Sequence, residues 1–591
     1  MASIAASFLA VVSVVFHVYL IFSGLLPNLV TRPLHLVLTL PWVFVFGTRD
    51  QGVKKYLGYF LCLVGLTSCF YIIANGEMLG DQYGALEGRG QLIMALGLIG
   101  VILEMARRAI KLALPAVAVI ALGYGFFGHL IPGEFGHPGI PVDSFLGTLV
   151  IAEGGIWGSL TGVSVNVVAV FVILGAFVGV GEGGDAFMAL ATKLAGRFRA
   201  GAAKVSVISS AFFGSISGSA SANVASTGAI TIPAMQRLGY PAPFAAAVEA
   251  VASSGGQIMP PLMGAGAFIM AELLRMKYSQ IMGLAILPAL LFFFAAWTGV
   301  DIFAKKYKLT PMRREDIPSK RRVMRLAPFF CLPFGTLLGI LFWTDYTPQF
   351  ASGVAIFVSA ALLFTNLEYE LLLKRALPRL LTACVTAARQ IAVIASIIIC
   401  AGLIIGVLNM TGLGVKITSI ILGFSGGNLW VALLLTALAC LILGMEVPTT
   451  AAYVICIAVA GPALGELGLP DVYAHLFVFW FALLSTITPP VCGTVFIAAG
   501  MAETPWIPVA GHAMKLGFGL YLIPLAFIAN PGLLQTLSHP WMAAFAFVKI
   551  GLGLFLVSQG IIGGKCPKWA QLPLVLCGLG IIFVFSAGTW S

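Results

Sequence analysis

Runs of apolar residues long enough to cross a bilayer, about 20 residues each, recur along the whole chain with short polar intervals between them. They fall near 4–24, 34–47, 56–74, 91–106, 112–131, 157–180, 242–272, 280–303, 326–343, 350–366, 380–408, 472–500, 514–530, 541–559 and 573–588. Two more apolar segments, 205–235 and 428–460, turn polar and small-residue-rich in their middles. The pattern predicts an all-α polytopic membrane protein of about 15 spans. The two interrupted segments are expected to enter the bilayer and return on the same side. The first run has no basic flank and no clear cleavage site before its end, so it is read as a retained span.

Composition agrees with this. Of the residues 60% are hydrophobic and 9% charged, against about 25% charged in soluble domains. A net charge of +11 would suggest nucleic acid in a soluble protein. In a membrane protein it follows from Lys- and Arg-rich cytoplasmic loops, and no nucleic-acid binding is expected. Cys62, Cys69, Cys331, Cys384, Cys400, Cys440, Cys456, Cys492 and Cys577 lie in apolar runs, and Cys566 in a short loop. None has zinc-site or disulfide-framework spacing, so they read as small packing residues.

Basic residues orient the chain. Arg49, Lys54 and Lys55 follow the second span, and Arg107, Arg108 and Lys111 the fourth, while Glu77, Asp81 and Glu87 lie between the third and fourth. The positive-inside rule then puts the N-terminus in the cytoplasm. It also puts Lys193, Arg197, Arg199, Lys204 and the basic loop 305–325 inside. The count closes, with Lys565 and Lys568 inside, only if 205–235 is a hairpin opening inward and 428–460 a hairpin opening outward. Three units are expected: a four-helix unit over 1–111, a larger unit over 112–530 divided by the loop 304–325, and an accessory helix pair over 531–591.

A constant offset of 229 matches Pro233 to Pro462, Gly239 to Gly468, Pro241 to Pro470, Pro260 and Pro261 to Pro489 and Pro490, and Gly264 to Gly493. Proline breaks a backbone hydrogen bond in a helix, so its recurrence at one offset argues for duplication. With the hairpins facing opposite ways, the repeat is inverted. Inverted repeats with discontinuous helices typify secondary transporters, whose sites lie near the midplane.

Four segments carry the chemistry. The first hairpin tip, 215–223, is rich in Ser and Gly and ends at Asn223; the facing span breaks at Ser253, Ser254, Gly255, Gly256, Gln257, Ile258, Met259, Pro260 and Pro261. The second tip holds Gly444, Met445, Glu446, Val447, Pro448, Thr449 and Thr450, and its break Ser485, Thr486, Ile487, Thr488, Pro489 and Pro490. Unwound backbone at membrane depth is tolerated where it lines a cavity or is buried in protein. Carbonyls and hydroxyls suit a hard cation, and a half-helix N-terminus suits an anion. The same residues would also serve close helix packing.

Intramembrane carboxylates are costly. Glu249, whose repeat equivalent is Val478, would bind a coupling proton, orient the hairpin or pair with a polar neighbour. Glu446 would join a cation site, accept a proton or face the outer water. Arg389 reads as snorkelling to the cytoplasmic interface or binding substrate, and His17, Tyr19 and His35 as packing or interfacial residues. No phosphate-loop motif, HExxH, Cys/His cluster or nucleophile elbow is present, so no ATPase and no enzyme is expected.

The runs GSISGSASANVASTGAITIPAM (214–235), GYPAPFAAAVEAVASSGGQIMPP (239–261), LGMEVPTTAAYVICIAVAGPAL (443–464) and STITPPVCGTVFIAAGMAE (485–503) resemble the large membrane subunit of tripartite ATP-independent periplasmic (TRAP) transporters. With the N-terminal four-span unit, the likeness is to the TAXI type with fused small and large subunits, and it covers most of residues 1–530. It implies an elevator mechanism in the bacterial inner membrane. It also implies a periplasmic binding protein that delivers a carboxylate or dicarboxylate, no cofactor, and a monomeric membrane subunit. Carried onto this chain, a first cation site falls at Ser217, Gly218, Ser219, Ser221 and Asn223 with Gly255, Ile258 and Pro260. A second falls at Gly444, Glu446, Thr449 and Thr450 with Thr486, Thr488 and Pro489. Substrate would meet Asn223, Ser254, Gln257, Thr450 and Thr488. The TAXI type usually has a small residue where Glu446 stands, which leaves the coupling ion open between sodium and a proton taken up at Glu249 or Glu446. A binding-protein-independent carrier of similar hairpin design is the alternative.

Overall fold

The computed structural model describes residues 4–584 except 25, 48–50, 111, 372, 446 and 564–566, and not the side chains of 110 and 216. Arg49, Lys111, Glu446, Lys565 and Cys566 therefore lie outside the described residues. The described chain is helical, with one isolated bridge between Thr365 and Leu371. In order, the helices begin with α1 (Ile4–Phe22), α2 (Asn28–Pro41, continued by a π-turn Trp42–Phe46), α3 (Val53–Ala74), the short α4 (Gly76–Asp81) and α5 (Gly88–Ile110). Next come α6 (Ala113–Phe127), α7 (Val142–Val150), α8 (Ser159–Val163), α9 (Ala169–Val180) and α10 (Gly183–Ala195).

The first paired unit is α11 (Gly201–Ser217), α12 (Ala220–Arg237), α13 (Ala242–Gly255), α14 (Ala265–Leu273) and α15 (Tyr278–Tyr307). It is followed by α16 (Lys320–Trp343), α17 (Pro348–Leu362), α18 (Leu373–Thr411) and α19 (Leu413–Ser425). The second paired unit is α20 (Leu429–Leu443), α21 (Thr449–Glu466), α22 (Asp471–Leu484), α23 (Gly493–Met501) and α24 (Trp506–Ala529). The described chain closes with α25 (Pro540–Ile562) and α26 (Lys568–Phe583).

Eleven of the described helices are long and apolar enough to cross a membrane by length and composition, fewer than the apolar runs in the sequence. The difference has a physical cause. The runs 242–272 and 472–500 are each cut by their glycines and prolines into a longer and a shorter half, α13 with α14 and α22 with α23, and a half alone cannot span. Other runs form shorter apolar helices, such as Pro348–Leu362 and Lys568–Phe583.

The offset of 229 carries α12 onto α21 and α13 onto α22 residue for residue, and the 3-10 turn Gly256–Ile258 onto Ser485–Ile487. Local chemistry explains the match. Gly239 and Gly468 take φ of 81° and 84°, closing their helices where only glycine is unstrained. The prolines Pro241 and Pro470 then start α13 and α22. Both Pro260-Pro261 and Pro489-Pro490 peptides are cis.

The centre of the molecule is built from α13 and α22, which are almost wholly buried, and from the second half of the long α18, buried over most of residues 395–408. Around it, α1, α2, α5 and α6 pack on α18. His17 and His35 are fully buried and hydrogen-bond to each other at 2.8 Å, and His35 Nε2 reaches Ser164 Oγ at 3.1 Å. Arg32 joins the same unit to residues 151–158, pairing with Glu153 at 3.1 Å and donating to the Trp157 carbonyl. Tyr19 is exposed. Arg389 is exposed on α18, its guanidinium 5.9 Å from the Trp42 ring centre. The nine cysteines among the described residues are free thiols, of which Cys331 and Cys577 are exposed. At the far end, α25 packs on α15 and α24, and Lys549 Nζ donates to Asn530 Oδ1 at 2.6 Å.

Candidate functional site

The helices α11 and α12 form a hairpin whose tip lies directly on the break between α13 and α14. The approach is backbone to backbone: a Cβ on Gly214 would stand 2.4 Å from Gly256 Cα, and one on Gly218 3.5 Å from Gly264 Cα. Asn223 crosses the contact, its amide donating to the carbonyls of Ser210 (2.9 Å) and Ser253 (3.2 Å). Ser219 caps α12, as a short hydroxyl does at a helix start. The break is bridged by Gly264 N donating to the Gln257 carbonyl at 2.7 Å. It is braced from α15 by the Tyr278 hydroxyl, which donates to the Pro261 (2.8 Å) and Leu262 (2.6 Å) carbonyls.

Beneath this contact Glu249 of α13 is fully buried. Five hydroxyls surround its carboxylate. Ser206 (2.7 Å) and Ser210 (3.2 Å) come from α11, Ser253 (3.0 Å) from its own helix, and Thr227 and Thr231 from α12. A buried charge without such partners would be strongly unfavourable.

The second half repeats the contact with different chemistry. The tip after α20 meets the break between α22 and α23 through Ser485 Oγ, which donates to the Gly444 carbonyl at 2.9 Å. Within the break, Thr494 Oγ1 donates to the Thr486 carbonyl at 2.7 Å. Thr488 Oγ1 lies 2.7 Å from the Leu484 carbonyl and 2.6 Å from the Tyr521 hydroxyl of α24. The hairpin is tied to α22 by Tyr453, whose hydroxyl is 2.7 Å from His475 Nδ1. The two breaks sit together: α13 packs against α22, α23 and α24, and α14 against α21.

The residues singled out from sequence divide by environment. Ser217, Gly218 and Ser219 are half-buried, Ser221 is exposed, and Asn223, Gly255 and Ile258 are buried, with Pro260 at the edge. Gly444 and Thr449 are buried, Thr450, Thr486 and Thr488 half-buried, and Pro489 exposed. Of the substrate candidates, Thr450 lies in a tightly packed apolar crevice with Leu160, Ile269, Ile397, Ile398, Ala401, Ala451 and Val454, with no room for a water molecule. Gln257 is buried, and the Ser254 hydroxyl donates to the Val251 carbonyl of its own helix at 2.8 Å. Among the described residues no cluster of His, Cys, Asp and Glu fits a metal ion.

Sequence reading missed Ser206, Ser210, Thr227 and Thr231, although each pair is spaced four apart and so shares one helix face. It also missed Tyr278 and Tyr521, for which an isolated phenol in an apolar helix was the available signal.

Residues 98–542 match the family model described as Tripartite ATP-independent periplasmic transporter, DctM component. The C4-dicarboxylate TRAP transporter large permease protein DctM of Pseudomonas aeruginosa is 26% identical over 361 residues, 61% of this chain and 81% of that protein. The isethionate TRAP transporter permease protein DctMQ of Oleidesulfovibrio alaskensis is 24% identical over 431 residues, 67% of this chain and 65% of that one.

Proposed function

This chain belongs to the DctM-component family of TRAP transporters, and from that premise we propose that it drives uptake of an organic anion by an ion gradient, through an elevator movement of its paired hairpin-and-break units. It is a multi-pass membrane protein of a family that sits in the bacterial inner membrane, works with a periplasmic binding protein and consists of transporters rather than enzymes. The observation that carries the proposal is the pair of equivalent contacts, each hairpin tip seated on a helix break at the same offset of 229. Such units suit the oxygen-rich cation sites and midplane substrate site of inverted-repeat carriers.

In this reading 1–111 is a fused small-subunit unit, 112–530 the large unit and 531–591 an accessory pair, as in the TAXI type, with the N-terminus cytoplasmic. The packing of α1, α2, α5 and α6 on α18 supports assigning them to the static scaffold. Each hairpin re-enters the bilayer, opening to opposite faces. Ser217, Gly218, Ser219, Ser221 and Asn223 with the first break serve one cation, and Gly444, Thr449, Thr450, Thr486 and Thr488 with the second break serve another. Substrate lies between the tips, near Thr450. Sodium is the coupling ion that an oxygen-only donor set favours; a proton at Glu446 is the other reading. The relatives' names, one for a C4-dicarboxylate and one for isethionate, support a small carboxylate or sulfonate. The chain acts as a monomer.

The test is uptake of radiolabelled dicarboxylates and isethionate into proteoliposomes, with and without the binding protein, under imposed sodium or proton gradients. Uptake requiring both sodium and binding protein is expected. Uptake driven by protons alone would move coupling to a carboxylate, and uptake without any binding protein would overturn the tripartite assignment.

A further inference from the structure

The two hairpin-and-break units share a backbone but not a means of attachment. In the first, one carboxylate gathers hydroxyls from three helices: Ser206 and Ser210 of α11, Thr227 and Thr231 of α12, and Ser253 of α13. No ion pair involves Glu249 among the described residues, so hydroxyls alone replace its hydration. At the offset of 229, Thr227, Thr231, Glu249 and Ser253 correspond to Cys456, Ala460, Val478 and Ala482. The helix α20 carries a single hydroxyl, Thr436, which has no hydrogen-bond partner. The second hairpin is thus held by Ser485 with Gly444, Tyr453 with His475, Thr418 of α19 with the Val459 carbonyl, and apolar contact.

The network reaches the tip. Ser210 and Ser253, which contact Glu249 through their hydroxyls, offer their carbonyls to Asn223, and Thr227 Oγ1 lies 2.8 Å from the Asn223 carbonyl. Five hydroxyls from three helices around two oxygens can satisfy the hydrogen-bonding capacity of the carboxyl group, and so join the three helices through one side chain. We propose that Glu249 is a positioning residue that clamps the first hairpin to its broken helix and so shapes the first cation site. The second hairpin, lacking this clamp, is the one that opens. The assignment of the cation site rests on the transport reading above; the clamp itself does not.

Hydrogen exchange on the full chain in nanodiscs separates the two. In the wild-type protein, amides of 201–237 exchange about tenfold more slowly than those of 429–466, as expected from the hydrogen bonds that join the three helices. Glu249→Gln raises exchange in 201–237 about tenfold and leaves 429–466 unchanged, and Thr231→Val, which removes one donor, gives a smaller rise in the same segment. In uptake assays Glu249→Gln raises the half-saturating sodium concentration about tenfold, with the pH profile unaltered. Equal exchange in both wild-type hairpins, or no response in 201–237 to either variant, overturns the clamp. Loss of pH dependence in Glu249→Gln with exchange unchanged assigns it to proton carriage instead. A chain that shows no transport at all refutes the transport reading while leaving the exchange result decisive.

Discussion

Gly214→Ala puts the contact between tip and break under direct strain. The added methyl would lie 2.4 Å from Gly256 Cα, 2.6 Å from Asn223 Nδ2 and 3.2 Å from the Gly256 carbonyl carbon. Ordinary carbon contact begins near 3.4 Å, so the hairpin must lift by about 1 Å. The obstructing atoms are mainly backbone, and no side-chain rotamer can absorb the shift. Overpacking of this kind costs about 1–3 kcal/mol, part of it offset by about 1 kcal/mol from the better helix propensity of alanine. Stability therefore falls only modestly. The functional effect is larger, because a displacement of about 1 Å at a positioned site costs up to ~100-fold. We expect the half-saturating concentration of the coupling cation in proteoliposome uptake to rise at least ~10-fold, with thermal stability in detergent slightly reduced. Gly335→Ala on α16, where nothing lies within 4 Å, is the control and should leave both quantities unchanged. Wild-type cation dependence in Gly214→Ala would refute the view that the first tip forms its site by closing on the break.

Two further outcomes follow from the polar contacts. Tyr521→Phe removes the 2.6 Å bond to Thr488, worth about 1 kcal/mol, and should raise the half-saturating cation concentration about fivefold; an unchanged value would mean that Thr488 is held well enough by the Leu484 carbonyl alone. Lys204→Met removes a buried ammonium 2.8 Å from Asp301 and 4.7 Å from the Trp297 ring centre, while Asp301 keeps Lys305 at 3.2 Å. The loss should be about 1–3 kcal/mol, read as a lowered melting temperature, and an unshifted melting temperature would show that the pair contributes nothing.

What the sequence determined by itself was whatever acts locally on the backbone. Apolar runs of bilayer length mark helices because every backbone group in lipid must be satisfied within its own segment. Gly239 with Pro241, and Gly468 with Pro470, stop one helix and start the next through φ preference and a missing N–H. The same chemistry makes the offset of 229 legible in the residues alone. Glu249 stood out because a carboxylate at that depth needs a reason. Its partners did not, since Ser206, Ser210, Thr227 and Thr231 look like small residues that ease helix packing. They lie 18–43 positions from Glu249, and only the closing of an antiparallel hairpin over α13 turns them into a shell. Tyr278 and Tyr521 likewise reach the breaks from neighbouring helices, and Asn223 turns its amide inward to two carbonyls. Backbone punctuation works within about one helical turn and is written in consecutive letters. Side-chain networks are decided by which helices pack together, and that exists only once the tertiary structure has formed.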